Sequence, residues 1–506
     1  MLYLGLIAAF LISAALVGAW FLRFPNDNRA LDVRIFGYWF VMSFLICVLQ
    51  KPAWIIPLSI PFILVAQPKN ILERVPFYFA ALFIIPAEAN FDIPMIGLNY
   101  LMSMDNVKLL SIIIITPLLF VGMPKLSRLR FGLLDFLVLS YGLWTIFLSY
   151  RGVPMTTGLR YSINIILIWI LPYFAISRLV VHWRVVHSTM NTWLLMSTIL
   201  SLIAMISIAR QWNLYTVIDI DSSFEVEYYR RGGWLRVATT FSTSLFAYFL
   251  SVALITLEVL KRYVKVTRLQ TWAMRIMFPI AVFMTGSRAG WVMVPICYGL
   301  YFIFDQKSVL LKWSALTAGI VGGFISYSVY TQNALSNVDE YGTFQYRRDL
   351  IDASMIQIDS AFWAGDADYL NSEHLAHMVQ GQGIIDIVNS YLQIALRYGV
   401  VGFILFVSMI GVACFSLFRI KASWGHLAAD EQQWLRDWRA VLLAALIALS
   451  LLFVTTSMVS YTVSIFMVLL ALTRGMSGQV KKGAESGTGF FNDFKSILKT
   501  DNKKQT

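Results

Sequence analysis

The chain is 506 residues long, 58% hydrophobic and only 13% charged, with a formal net charge of +12. Soluble domains carry about 25% charged residues, so this balance excludes a string of soluble domains and indicates a polytopic membrane protein. Nucleic acid is not the implied partner, because Lys and Arg gather in short loops and the C-terminal stretch, where membrane topology puts them.

Apolar runs near the roughly 20 residues needed to cross a bilayer follow one another along the chain. Leu4 to Phe21 comes first; without a basic start or a small-residue cleavage site it reads as a retained anchor. Ile35 to Leu49 and Ala53 to Ala66 follow, divided by Lys51-Pro52, as two spans or one broken span. Then come Pro76 to Pro86, Leu109 to Val121, Leu133 to Leu148, Ile163 to Ile176 and Leu194 to Ile208. Later runs are Val237 to Leu257, Met277 to Met284, Trp291 to Phe304, Trp313 to Tyr330, Val400 to Leu417, Val441 to Phe453 and Val463 to Leu472. The expected fold is all-α, a transmembrane helix bundle of about 12–15 spans over residues 1–473. Residues 474–506 read as a flexible basic tail. Cys47, Cys297 and Cys414 lie inside apolar runs and offer neither a disulfide framework nor metal spacing.

Basic loops set the orientation. Lys125, Arg128 and Arg130 form one, Lys261, Arg262, Lys265, Arg268 and Arg275 another, and the tail from Arg474 holds seven basic residues against three acids. Taking these as cytoplasmic puts a long loop, 331–387, on the periplasmic side; its nine acids and two arginines suit translocation. The segment Gln211 to Leu235 and the turn at Arg288 fall on the same side.

Three polar features therefore converge on one membrane face. The first is Arg230-Arg231-Gly-Gly-Trp-Leu-Arg236 at the mouth of a helix. Guanidinium groups there grip phosphate oxygens in a two-pronged fashion, or else snorkel or pair with Asp219, Asp221, Glu225 or Glu227. The second is the tight break Thr285-Gly-Ser-Arg288, where Arg288 is a phosphate clamp or a tie between two helix ends. The third is the long loop, with Arg347 and Arg348 early and a polar motif at 380–402 entering the next span. Arg347 and Arg348 are phosphate ligands or partners of the local acids. Asp386, Asn389, Tyr391, Gln393 and Arg397 stand at the transition into the helix, where polar groups are costly and mark function by default. Asp386 is a proton acceptor or a helix cap. Tyr228, Tyr229, Trp234 and Trp363 suit an interfacial belt. His374 and His377, with only loose acids nearby, read as solvated residues rather than metal ligands.

Together these motifs resemble the O-antigen ligase and polymerase (Wzy-type) superfamily. The resemblance runs over roughly residues 160 to 410: Leu171-Pro-Tyr-Phe174 with Arg178, Arg230 through Phe241, the Gly-Ser-Arg turn at 286–288, and the spacing Asn389-x9-Gly399-x2-Gly402. It implies a multi-pass inner-membrane glycosyltransferase, metal-independent and without a cofactor, acting at the periplasmic face on an undecaprenyl-pyrophosphate-linked glycan. Arg236 and Arg288, with Arg230, Arg231, Arg347 and Arg348, would then hold the pyrophosphate, Gln380, Gln382, Asn389 and Tyr391 would hold sugar hydroxyls, and Tyr228, Tyr229, Trp234 and Trp363 would stack on sugar faces. Ligase members carry a histidine before the Asn position; here it is Val388, which accepts no proton. Asp386 is the nearest substitute, although a local helix would turn it about 200° away from position 388. The missing histidine favours an exopolysaccharide or O-antigen repeat-unit polymerase, with a chain-length regulator and a flippase as candidate partners. A ligase or oligosaccharyltransferase acting on lipid A or protein is the alternative within transferases. A polysaccharide exporter or secondary transporter is the alternative outside them, though no two-half symmetry is visible in the sequence.

Overall fold

A computed structural model describes residues 2–21, 28–49, 52–87, 89–95, 100–120, 130–180, 182–215, 230–231, 234–305, 343–379, 385–420, 427–458 and 460–486. The expected span 313–330 and the first part of the long loop lie outside these residues, as do Gln380 and Gln382.

The chain is an all-α polytopic bundle. Its first helices are α1 (Leu2–Phe21), α2 (Arg29–Leu49), α3 (Pro52–Ala66), α4 (Ile71–Leu82) and α5 (Asn106–Phe120). The middle of the chain forms α6 (Leu133–Leu148), α7 (Met155–Leu179), α8 (Trp183–Arg210), α9 (Thr243–Leu260), α10 (Arg268–Met284) and α11 (Arg288–Asp305). After these come α12 (Thr343–Ser360), α13 (Ser390–Arg419), α14 (Ala429–Leu452) and α15 (Ser460–Ser486). Among the described residues six helices, α2, α7, α8, α9, α13 and the Tyr461–Val480 part of α15, are long and apolar enough to cross a membrane. Two short antiparallel pairs, Asn90–Asp92 with Ser103–Asp105 and Arg230–Arg231 with Trp234–Leu235, are the described β-structure.

In a membrane the helices gain little by hiding apolar surface from one another, so close packing and polar contacts hold them together. The centre of the bundle is aromatic: Trp193 of α8 stacks on Phe249 of α9 with centroids 4.9 Å apart, and its indole N–H donates to the Phe249 carbonyl at 2.9 Å. Phe79 of α4 closes the cluster, 5.0 Å from Trp193. Where α9 meets α11 the backbones nearly touch, and a Cβ on Gly290 would lie 2.4 Å from Ala247 Cβ. Phe120, Phe147, Met155, Trp272 and Phe283 stay exposed around the bundle, as lipid-facing side chains do.

The runs read from sequence shift at two boundaries. The run from Val237 becomes helical only at Thr243, because residues 236–242 are irregular and bonded to neighbouring segments. The expected tail from Arg474 instead continues α15 to Ser486. Arg474 is held there: its Nε donates to Asp135 Oδ2 at 2.8 Å. Asp135 also takes Arg178 Nη1 at 2.6 Å, the Tyr173 hydroxyl at 2.9 Å and the Gly132 N–H at 2.8 Å. A second network at the same end joins Arg262 to Asp437 at 2.5 Å and Tyr263 to Asp437 at 2.7 Å. Each buried carboxylate there is matched by several donors, the condition under which such a group is tolerated.

Candidate functional site

At the opposite end of the bundle lie the ends of α8, α10 and α14 and the beginnings of α9, α11, α13 and α15. The irregular stretch 236–242 is fixed there by borrowed hydrogen bonds. Asn213 Nδ2 donates to the Arg236 carbonyl and Asn213 Oδ1 accepts from Ala238 N–H, both at 3.2 Å. Val237 N–H donates to the Met284 carbonyl at 3.0 Å. Thr240 Oγ1 donates to the Phe83 carbonyl at 2.8 Å.

That anchoring brings two distant segments together. Gly286 turns the chain with φ of +59°, and the Arg236 side chain lies against it: a Cβ on Gly286 would be 3.0 Å from Arg236 Cγ. Arg236 Nη2 donates to Thr243 Oγ1 at 3.1 Å. Ser287 Oγ lies 2.8 Å from Ser244 Oγ and accepts from Gly290 N–H at 3.2 Å, so the turn is tied both to α9 and to its own helix. Arg288 opens α11 with an exposed side chain that has no hydrogen-bond or ion-pair partner among the described residues. Two arginines from separate parts of the chain thus flank one turn; one is braced, the other is open to solvent. Ser287 and Ser244 tie the starts of α11 and α9 together.

The long-loop residues form a second cluster. Loop helix α12 and the following turns pack through Leu350, Tyr369, Leu375 and Met378 onto Ile387, Ala395 and Leu396. The Tyr346 hydroxyl accepts from Asp386 N–H and donates to the Asp386 carbonyl, each at 3.1 Å. More than a third of the Asp386 surface is open, yet the surrounding protein raises its carboxyl above the ordinary value, with the Arg347 cation opposing. Arg348 is exposed. Arg230 and Arg231 form the first strand of a two-residue hairpin, and their side chains lie outside the described residues.

Capping falls to Asn389, one of the candidates for sugar hydroxyls. Asn389 Oδ1 accepts from Tyr391 N–H at 2.9 Å and Leu392 N–H at 3.2 Å, so Asn389, not Asp386, is the N-cap of α13. The Tyr391 hydroxyl points into the bundle and donates to the Ser450 carbonyl at 2.9 Å. Ser390 N–H donates to Phe453 O at 2.8 Å and Ser457 Oγ to Ile387 O at 2.8 Å, so the loop end hangs from the turn between α14 and α15. Tyr461, just past that turn, packs 6.4 Å from Phe241 in the irregular stretch 236–242. The two clusters are therefore linked through one connecting turn.

Sequence reasoning missed Arg151. Its Nη1 donates to Gly365 O at 2.7 Å and its Nη2 to Arg397 O at 3.1 Å, pinning the loop to α13. No spacing signal announces such a contact, because its partners are backbone carbonyls more than two hundred positions away. No group of three His, Cys, Asp or Glu side chains converges as a metal site among the described residues.

Residues 272–407 match the family model for O-antigen ligase. The matched span begins in α10, contains the Gly286 turn, Arg288 and the Asp386 cluster, and ends inside α13. Over that span the chain is similar to the O-antigen ligase and polymerase-like superfamily. No individual curated protein matches the chain.

Proposed function

We propose that this bearer of an O-antigen-ligase-type domain is an inner-membrane glycosyltransferase polymerising undecaprenyl-pyrophosphate-linked repeat units at the periplasmic face. One observation carries the reading. Arg236 is folded against the Gly286 turn, so that it and Arg288 flank a single turn within the part of the chain resembling a lipid-linked-sugar transferase. An acceptor hydroxyl attacks the anomeric carbon of the lipid-linked glycan, and the bond from that carbon to the pyrophosphate oxygen breaks. The lipid pyrophosphate leaves with the electron pair, its growing charge met by the two guanidinium groups. Asp386 takes the hydroxyl proton; its raised carboxyl lies closer to working pH than an ordinary aspartate, which suits a base.

Val388 favours polymerase over ligase, since the ligase pattern has histidine there. The family description, O-antigen ligase, favours the second reading, transfer of a finished glycan to lipid A or protein. Product size separates them: purified protein given lipid-linked repeat units yields a ladder if it polymerises and a single transfer if it ligates. Arg236→Lys and Arg288→Lys keep charge but lose the fork, and are expected to abolish most turnover at matched protein levels. Asp386→Asn is expected to cost about 10²–10⁴ in rate. Normal product from all three variants would reject the reading.

A further inference from the structure

The long loop carries apolar surface that the candidate site does not use. Loop helix α12 buries Leu350, Ala353 and Ile358 in a cluster with Ile387, Ala395 and Leu396. On another side of the helix Ile351 and Met355, one turn apart, are exposed. Phe362 and Trp363 follow in the next turn of chain, and Trp363 is 70% exposed. Their rings meet edge to face with centroids 5.1 Å apart. One apolar side of the loop helix is therefore satisfied by protein, and a second is left bare and ends in two aromatics. Contiguous bare apolar surface marks a place of contact.

Depth identifies the contact. The turn 361–366 is pinned to two helices at once. Val400 N–H, where the apolar run of α13 begins, donates to Phe362 O at 2.8 Å. Arg151, just past the end of α6, donates to Gly365 O at 2.7 Å. Away from the turn, both helices show exposed apolar residues along one face: Phe136, Leu143 and Phe147 on α6, and Ile404, Val407 and Phe415 on α13. From Val400 to Arg419, the exposed cation that ends α13, the helix runs about 28 Å, close to the roughly 30 Å of a bilayer core. The turn thus stands at the outer edge of the hydrocarbon. Trp144 of α6 is at the same level, its indole N–H donating to the Tyr398 carbonyl at 3.0 Å. Tryptophan and tyrosine collect at this depth, because the ring prefers the acyl boundary and the N–H or O–H prefers water.

We infer that Phe362 and Trp363, continued by the Ile351–Met355 stripe of α12, dock the long loop on the lipid surface at the site end of the bundle. The exposed acids Asp352 and Asp359 run along one edge of the stripe and hold α12 at the surface rather than within the hydrocarbon. Asp366, beside the turn, is occupied by Gln357 Nε2 at 3.1 Å and Asp368 N–H at 2.9 Å. Lipid then forms part of the frame around the Asp386 cluster, since the opposite side of α12 packs with Ile387. The inference does not rest on the transferase reading.

The test uses the full chain with Cys47, Cys297 and Cys414 replaced, in liposomes of phosphatidylethanolamine and phosphatidylglycerol. A nitroxide is attached at Trp363→Cys, and its collisions with oxygen, which enters lipid, are compared with those with nickel–EDDA, which stays in water. Phe147→Cys is the lipid reference, and His374→Cys, an exposed position of the same loop, is the water reference. The oxygen-to-nickel ratio at Trp363→Cys is expected to be several-fold above that at His374→Cys and to approach that at Phe147→Cys. Met355→Cys, on the exposed side of α12, carries the same expectation and the test if Trp363→Cys fails to fold. A ratio equal to that of His374→Cys puts the turn in water and overturns the inference. Few collisions with either reagent overturn it as well, because they show a cover of protein such as a second copy of the chain.

Discussion

At the scale of single residues the site depends on how closely Arg236 lies on Gly286. A side chain at position 286 meets both a φ of +59° and the Arg236 stem at 3.0 Å. We expect Gly286→Ala to cost about 1–2 kcal/mol from the left-handed backbone and to push Arg236 aside. The check is turnover at matched protein level, with a larger fall in turnover than in melting temperature. Asp386 gives a pH prediction. Burial raises its carboxyl and Arg347 opposes that, so a base at Asp386 is active above its raised value and fails as pH falls through it. Arg347→Gln removes the opposing cation and raises the carboxyl further. The acidic limb of the pH–rate profile should therefore move to higher pH, and a limb that stays put or moves down would exclude Asp386 as the base.

At the scale of elements the telling feature is the break in α13. Gly399 has φ of 68° and ψ of −175°, and a Cβ there would lie 2.3 Å from the Trp363 carbonyl oxygen. The opposite wall is as tight: a Cβ on Gly365, φ +66°, would lie 2.5 Å from Leu396 O. Two glycines face each other, and the turn 361–366 docks on the break through Val400 N–H to Phe362 O and Asp366 N–H to Leu396 O, both 2.8 Å. This gives a physical reason for glycine at 399, a position of the superfamily spacing read from sequence. Gly399→Ala must clash with backbone that cannot swing away, and its strain alone is about 1–3 kcal/mol. Gly411, farther along α13, has open space where a Cβ would go. Thermal unfolding in detergent should fall clearly for Gly399→Ala and hold or rise for Gly411→Ala, since alanine favours helix.

At the scale of the molecule the proposal requires the two ends of the bundle to face different compartments. Ser360 closes α12 at the site end, and Ala429 opens α14 at the end of the Arg262–Asp437 network; both are exposed. With Cys47, Cys297 and Cys414 replaced, Ser360→Cys should react with an impermeant thiol reagent in intact spheroplasts. Ala429→Cys should react only after lysis, and the reverse pattern would invert the orientation. Arg474 is an ordered partner of Asp135 rather than part of a tail. A buried carboxylate earlier in the chain makes the difference, and the local Gly, Ser and Lys content of 474–486 gives no sign of it.

Composition and apolar run length were enough to give the class, the bundle and most helix positions, because each span must satisfy its own backbone in lipid and so writes its length into the sequence. The Gly-Ser-Arg turn was legible for a similar reason: a break between two apolar runs has a local signature. Which polar residues meet was not local. Arg236 reaches Gly286 through Asn213 and the Met284 carbonyl, Arg151 reaches Gly365 and Arg397, and Asn389 takes the cap considered for Asp386. These pairings are set by how the helices pack side by side. Hydropathy constrains that packing weakly, since lipid is as apolar as any neighbouring helix.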